Sequence, residues 1–215
     1  TAALFLDAEA AFDKCWHNGI RYKLKAILHL PDRIVRLISS FLTNRALQVV
    51  HNNCFSQKVN LEAGTPQGSP LSPIIYIIYV NDYPESIKKE CSLSQFADDT
   101  ALWTSAYTRA FAMRKLQRAL NELESWCRKW RVKLNGDKSS LIFISRNHND
   151  DKESHALHLF NDIISPVNSA KFLGVEIDSR LSFNKHIDSI NNKATKRINL
   201  LKMLARHGVN PTTLM

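Results

Sequence analysis

Apolar and polar positions along the chain predict a mixed set of strands and helices. Ala2 to Leu6 is an unbroken apolar run closing on Asp7, the pattern of a buried strand with an acid at its C-terminal tip. From Ile20 to Phe41 apolar residues return at helical spacing, and Pro31-Asp32 divides that stretch into two helices. "ALQVVHNNCFSQKVNLEAG" alternates loosely around Asn52-Asn53 and predicts a hairpin. "GTPQGSPLSP" is a loop by composition, and it opens a helix with Ser72 as N-cap and Pro73 as first helical residue. That helix, running to about Asp82, is apolar nearly all round and should be buried.

"LSQFADDTALW" alternates on both sides of an acid pair, predicting a strand–turn–strand hairpin with Asp98 and Asp99 at its tip. Arg109 to Val132 carries Phe111, Leu116, Leu120, Leu123, Cys127 and Trp130 on one helical stripe, with Asn135-Gly136 as its stop. "SSLIFIS" predicts a strand, and Arg146 to Ser154 a polar loop. "LHLFNDIISPV", turning at Asn161-Asp162, and "KFLGVEID" predict further strands, and His186 to Leu204 a basic amphipathic helix.

Charge narrows the function classes. Lys plus Arg number 29 against 20 for Asp plus Glu, a formal net charge of +9. Such a surplus suits a polyanionic partner, nucleic acid being the commonest, although it also serves solubility. The four cysteines (Cys15, Cys54, Cys91, Cys127) form no C-x-x-C pair, which argues against a zinc ribbon or disulfide framework and for a reducing compartment. His155 and His158 are spaced i, i+3 with no further ligand nearby, so they are better read as exposed histidines. The longest apolar run, "IIYIIYV", is too short for a membrane span, and the first residues do not read as a secretory signal. Both chain ends look cut from a longer protein, and an intracellular location in nucleus or cytoplasm is expected.

Two adjacent carboxylates in an apolar stretch need an explanation. At an effective dielectric of ~20, two unit charges ~4 Å apart repel by about 4 kcal/mol. A divalent cation is the strongest counter-charge available. If the hairpin lies beside the first strand, Asp7, Asp98 and Asp99 meet at one sheet edge. That set suits two hard cations, Mg²⁺ with Mn²⁺ as the alternative, and in-line displacement at phosphorus.

Five stretches carry a family resemblance: "FLDAEAAFD", "GTPQGSPLSP", "FADD", "LNGDKS" and "KFLGVEID". In that order they resemble motifs A to E of a reverse transcriptase palm, in style those of non-LTR (LINE- or jockey-like) retrotransposons. The resemblance implies an α+β fold: a polymerase palm with an antiparallel sheet backed by helices, partial fingers and the start of a helical thumb. It implies palm at residues 1–14 and 64–180, fingers-associated helices and hairpin at 15–63, and thumb from 181 to 215. The implied activity is RNA-directed DNA synthesis for target-primed retrotransposition, with RNA template, DNA primer and dNTP as partners and other domains in the same polyprotein.

Site roles follow from the same resemblance. Asp7 and Asp98 would be the principal metal ligands, Asp99 an auxiliary acid, and Ala8 would lend its backbone carbonyl. Phe12 would sit under the incoming sugar and exclude a 2′-hydroxyl, or pack the core, or do both. Gln67 and Gly68 would contact nucleotide and template. Lys138 would protonate or stabilise the leaving pyrophosphate, with a solvated lysine as the alternative. Phe172, Leu173 and Gly174 would grip the primer end. Lys193, Lys196, Arg197 and Lys202 would face template–primer phosphates, with a solvated helix face as the alternative.

Departures from the family pattern are Glu9 or Ala10 where a basic residue is usual, and "GTPQGSP" where GVPQGS is frequent. The fingers strands that clamp the triphosphate and most of the thumb would lie outside the chain, so the isolated fragment is expected to be inactive. Two other readings stay open: a catalytically inactive palm-like module that binds RNA, and an RNA-dependent RNA polymerase. Phe12 and "FADD" speak against the latter.

Overall fold

The computed structural model describes residues 1–145 and 156–206. The opening apolar run forms β1 (Ala2–Ala8). After a turn come α1 (His17–Tyr22), a π-helical turn (Lys23–Ile27) and α2 (Asp32–Leu42). A ribbon follows, in which β2 (Arg45–Leu47) pairs with β5 (Val59–Leu61) and β3 (Val50–His51) with β4 (Cys54–Phe55). It reverses at Asn52 and Asn53, both left-handed with φ of 46° and 60°. Asparagine tolerates that geometry, which matches the twist of a two-residue hairpin turn. Then come α3 (Leu71–Val80), α4 (Glu85–Glu90), β6 (Ser92–Phe96) and β7 (Asp99–Thr104). Next are α5 (Arg109–Trp130), β8 (Leu134–Phe143), β9 (Leu157–Leu159) and β10 (Asp162–Ile164). The chain continues through β11 (Ser169–Phe172), β12 (Val175–Asp178) and α6 (Asn184–Arg206).

The central sheet has the order β6-β7-β1-β8 and is antiparallel throughout. Its register aligns Leu93, Leu102, Leu4 and Leu141 in one row across the four strands. Leu4, Leu102 and Leu141 are fully buried. Burying each leucine contributes about 1.5–3 kcal/mol, so a one-residue slip in register would expose the row and is strongly disfavoured. Helix α5 packs on this face of the sheet through β1 and β7. Its buried stripe runs from Ala112 and Leu116 through Leu120 and Leu123 to Cys127 and Trp130. The opposite face is partly open. There Phe5 meets Phe172 of the β11–β12 hairpin, ring centroids 5.0 Å apart. A two-residue turn of left-handed Leu173 (φ 48°) and Gly174 (φ 82°) closes that hairpin.

Several local expectations are corrected. Helix α3 begins at Leu71 after Pro70, and the Ser72 hydroxyl donates to the Pro66 carbonyl in place of capping the helix. Helix α3 is also not buried all round: Ser72, Ile75, Tyr76, Tyr79 and Val80 face the core, whereas Leu71, Ile74 and Ile77 are exposed. Helix α5 stops at Arg131, which takes the left-handed conformation (φ 55°), while Asn135 and Gly136 already belong to β8. Phe111 lies off the buried stripe and is exposed, because in the first turn its backbone N–H is held by the Thr108 cap. The β9–β10 turn is centred on Phe160 and Asn161, one residue earlier than expected. The polar loop from Arg146, with His155, lies outside the described residues, and His158 is exposed. No helix among the described residues is long and apolar enough to cross a membrane.

Candidate active site

Strand pairing brings the acids together. Leu6 pairs with Thr100, so the next positions along the two antiparallel strands are Asp7 and Asp99. Side chains alternate along a strand, which puts Asp7 on the face of Phe5 and opposite to buried Leu4 and Leu6. Asp98 occupies the turn between β6 and β7, where Ala97 is left-handed (φ 52°) and Phe96 pairs with Asp99. Asp98 and Asp99 are half-buried. Burial, then the charges of Asp98 and Asp7, hold the Asp99 carboxyl above its ordinary range. The three acids therefore share one electrostatic neighbourhood. Among the described residues, however, no three His, Cys, Asp or Glu side chains close tightly enough to enclose a cation. Carboxylates of like charge spread apart, so the set is a loose ring and not a finished cage.

Lys138 supplies a counter-charge: its Nζ lies 3.8 Å from Asp7 Oδ2. The cause is a bulge. Phe5 pairs with Ser140 but Asp7 with Asn135, so β8 residues 136–139 stand opposite Leu6 alone. That extra length swings Lys138 over the sheet edge. The Asn135 side chain accepts the Lys138 N–H at 3.2 Å, and the Ser139 hydroxyl donates to the Asn135 carbonyl at 2.7 Å. Ala8 is buried and pairs with Leu134.

The turn after β1 is stitched to the loop before α3. Thr65 N–H donates to the Phe12 carbonyl at 2.8 Å and Gly64 N–H to the Cys15 carbonyl at 2.9 Å. Gly64 has φ +86°, and a Cβ there would stand 2.7 Å from the Asp13 carbonyl oxygen, so only glycine fits. Gln67 Nε2 donates to Asp13 Oδ1 at 2.9 Å. Gly68 (φ +84°) faces open space. Phe12 is half-buried with its ring 4.8 Å from that of Tyr76 on α3. Glu9, in this same turn, takes Lys14 and Lys133 at 2.7 Å each. The hydrogen bond from Lys133, then that from Lys14, pulls Glu9 down to about 2.

Asp7, Ala8, Phe12, Gln67, Asp98, Asp99 and Lys138 thus surround one edge of the sheet and the turns beside it. Phe172, with Leu173 and Gly174 at its turn, overlies the same open face two positions from Asp7. Lys193, Lys196, Arg197 and Lys202 are exposed on α6, away from the acids. At about 100° per residue the first three share a face, whereas Lys202 lies about half a turn around the helix from Lys193.

Two polar features went unread in the sequence. The double pairing of Glu9 has no sequence signal, because Lys133 is remote. Lys23 did have one. It stands between Ile20, Leu24 and Ile27 on the apolar stripe, which predicts a buried lysine.

Comparisons agree with this arrangement. A family model described as reverse transcriptase (RNA-dependent DNA polymerase) matches residues 1–177. The chain is 32% identical over 206 residues to the RNA-directed DNA polymerase from mobile element jockey of Drosophila funebris, covering 93% of this chain and 22% of that protein. It is 30% identical over 199 residues to the probable RNA-directed DNA polymerase from transposon X-element of Drosophila melanogaster, covering 91% and 21%. Among solved structures, apo telomerase from Candida tropicalis superposes with a TM-score of 0.58 at 13% identity, covering 85% of this chain and 32% of that one. The chain spans about a fifth of the length of these curated relatives.

Proposed function

Because the chain belongs to the reverse transcriptase family, we propose that it supplies the palm, with part of the fingers and the thumb root, of an RNA-directed DNA polymerase. That enzyme extends a primer 3′-hydroxyl on an RNA template from dNTPs, in target-primed retrotransposition. The observation that carries this reading is the register of β1 against β7, which sets Asp7 beside Asp99 with Asp98 in the adjoining turn.

The donors are hard oxygens, three carboxylates and the Ala8 carbonyl, a set that fits Mg²⁺ or Mn²⁺. Asp7, Asp98, Asp99 and Ala8 would hold two such ions, which when bound lower the pKa of the attacking hydroxyl and neutralise phosphate charge. The other roles belong to the chain's own residues. Lys138, already 3.8 Å from Asp7, offers a proton or positive charge to the departing pyrophosphate. Phe12, braced by Tyr76, forms the wall against which the incoming sugar lies, and a 2′-hydroxyl collides with its ring. Gln67, tethered to Asp13, and Gly68 present the loop to nucleotide and template. Phe172, Leu173 and Gly174 press the primer end toward Asp7. Lys193, Lys196 and Arg197 contact backbone phosphates, and Lys202 contacts a strand only on the other side of α6.

The test is primer extension by the full-length parent with RNA template, dNTPs and Mg²⁺. Asp98→Asn is expected to reduce extension by about 100-fold or more, on the scale of removing one electrostatic stabiliser of a reacting group. Unchanged extension would refute the assignment.

A further inference from the structure

A second polar region lies apart from the carboxylates. A cavity of about 720 Å³ opens between α1, the end of α2, the β2–β5 ribbon and the end of α5. None of Asp7, Asp98 or Asp99 lines it. Three guanidiniums do: Arg21, Arg45 and Arg131. Among the described residues none of the three has a carboxylate at ion-pair distance, and Glu62 is the single acid in the wall.

Each guanidinium is held in place by neutral groups. Arg21 donates to Asn18 Oδ1 at 3.2 Å and Thr43 Oγ1 at 3.1 Å, while its buried Nε–H has no partner. Arg45 donates to the Gly64 carbonyl at 3.1 Å. Arg131, held left-handed at the end of α5, lies 4.3 Å over the Trp16 ring. Three fixed, uncompensated cations around a concave space repel one another, and an anion would relieve them. Planar guanidinium forks match phosphate oxygens, and the volume is that of a small organic ligand, well above one phosphate. The Asn44 and Asn60 amides in the same wall can bond a sugar or base.

We propose that this cavity binds a nucleotide through its phosphate, as a contact separate from the catalytic edge. An RNA strand and a free nucleotide present the same group, and the test separates them. The reading does not depend on polymerase activity.

The 215-residue chain is treated with an arginine-selective dicarbonyl, alone, with a uridine octamer RNA, or with ATP. Modified residues are mapped by mass spectrometry. The octamer is expected to protect Arg21 and Arg45 several-fold, while exposed Arg33 and Arg36 on α2 stay reactive. Protection by ATP but not by the octamer assigns the same phosphate site to free nucleotides. Full reactivity of Arg21 and Arg45 with both probes overturns the proposal, and no variant is needed for that result. In addition, the Arg21→Gln, Arg45→Gln double variant should bind the protecting probe about tenfold more weakly. If that probe is the octamer, the slope of log affinity against log salt should be lower by about one. Unchanged affinity in a variant whose circular dichroism matches the parent chain also overturns it.

Discussion

Lys23 allows a quantitative test of the packing behind the site. It is 1% exposed. Its ammonium lies 3.8 Å from the Trp130 ring centroid, 4.8 Å from that of Trp126 and 5.1 Å from that of Tyr79. It donates to Asp82 and to the Tyr79 carbonyl, tying the π-helical turn to the end of α3. Asp82 also accepts from Trp126 Nε1 at 3.1 Å. Burial lowers the lysine from 10.5 to about 8, against the opposing pull of Asp82. At about 1.4 kcal/mol per unit, keeping the buried lysine charged costs about 3 kcal/mol relative to an unshifted one.

The sign follows from proton counts. Below pH 8 both folded and unfolded chains hold the proton, and the cost is constant. Between about 8 and 10.5 only the unfolded chain holds it, so stability rises with pH. Buried cysteines act the other way. Cys15 and Cys127 are pushed up to about 12 and Cys91 to about 11, so their contribution falls as pH rises above 9. A difference against Lys23→Met cancels the cysteines. Urea unfolding followed by tryptophan fluorescence at pH 7, 8 and 9 gives the free energy of each chain. The parent is expected to gain about 1 kcal/mol on the variant between pH 7 and pH 9. A pH-independent difference, or one of opposite sign, would refute the reasoning.

Three further outcomes are expected. Phe12→Val in the full-length parent should raise ribonucleotide incorporation relative to deoxyribonucleotide, read from the rNTP to dNTP ratio; an unchanged ratio removes the sugar-gating role. Gly64→Ala should lower stability by about 2 kcal/mol or more, seen as a lower melting temperature, because the methyl would meet the Asp13 carbonyl at 2.7 Å and the backbone is left-handed. Asp178→Ala should lower the melting temperature at pH 7, because that carboxylate accepts from the backbone N–H groups of Ser182, Arg180 and Phe183. Those bonds, Ser182 foremost, hold Asp178 down at about 2, so its contribution is present above pH 4 and lost as pH falls toward 2. The gap between parent and variant should therefore narrow over that acid range.

Local patterning carried the parts of the fold that one segment can specify. The run Ala2–Leu6 can only be buried, the "FADD" hairpin alternates cleanly, and the Leu116–Leu120–Leu123 stripe has one solution. Where neighbours decide, local rules failed. Asn135-Gly136 is a good helix stop, yet Arg131 ends α5 earlier, and the stacking of its guanidinium on Trp16 accompanies that choice. Helix α3 is apolar on every side, which says that it is buried but not against what, and Ile74 and Ile77 remain exposed.

The candidate site divides in the same way. Its acids are legible because each sits at a strand tip or turn that its own sequence defines. Its cation is not. Nothing in "LNGDKS" says that four residues of β8 will stand against one of β1, and without that bulge Lys138 would not be brought to the sheet edge beside Asp7. Register is a property of a pair of strands, so the placement of Lys138 is encoded jointly by β1 and β8. A variant that shortens β8 by one residue between Gly136 and Ser139 should therefore break the Lys138–Asp7 contact while leaving the leucine row in place.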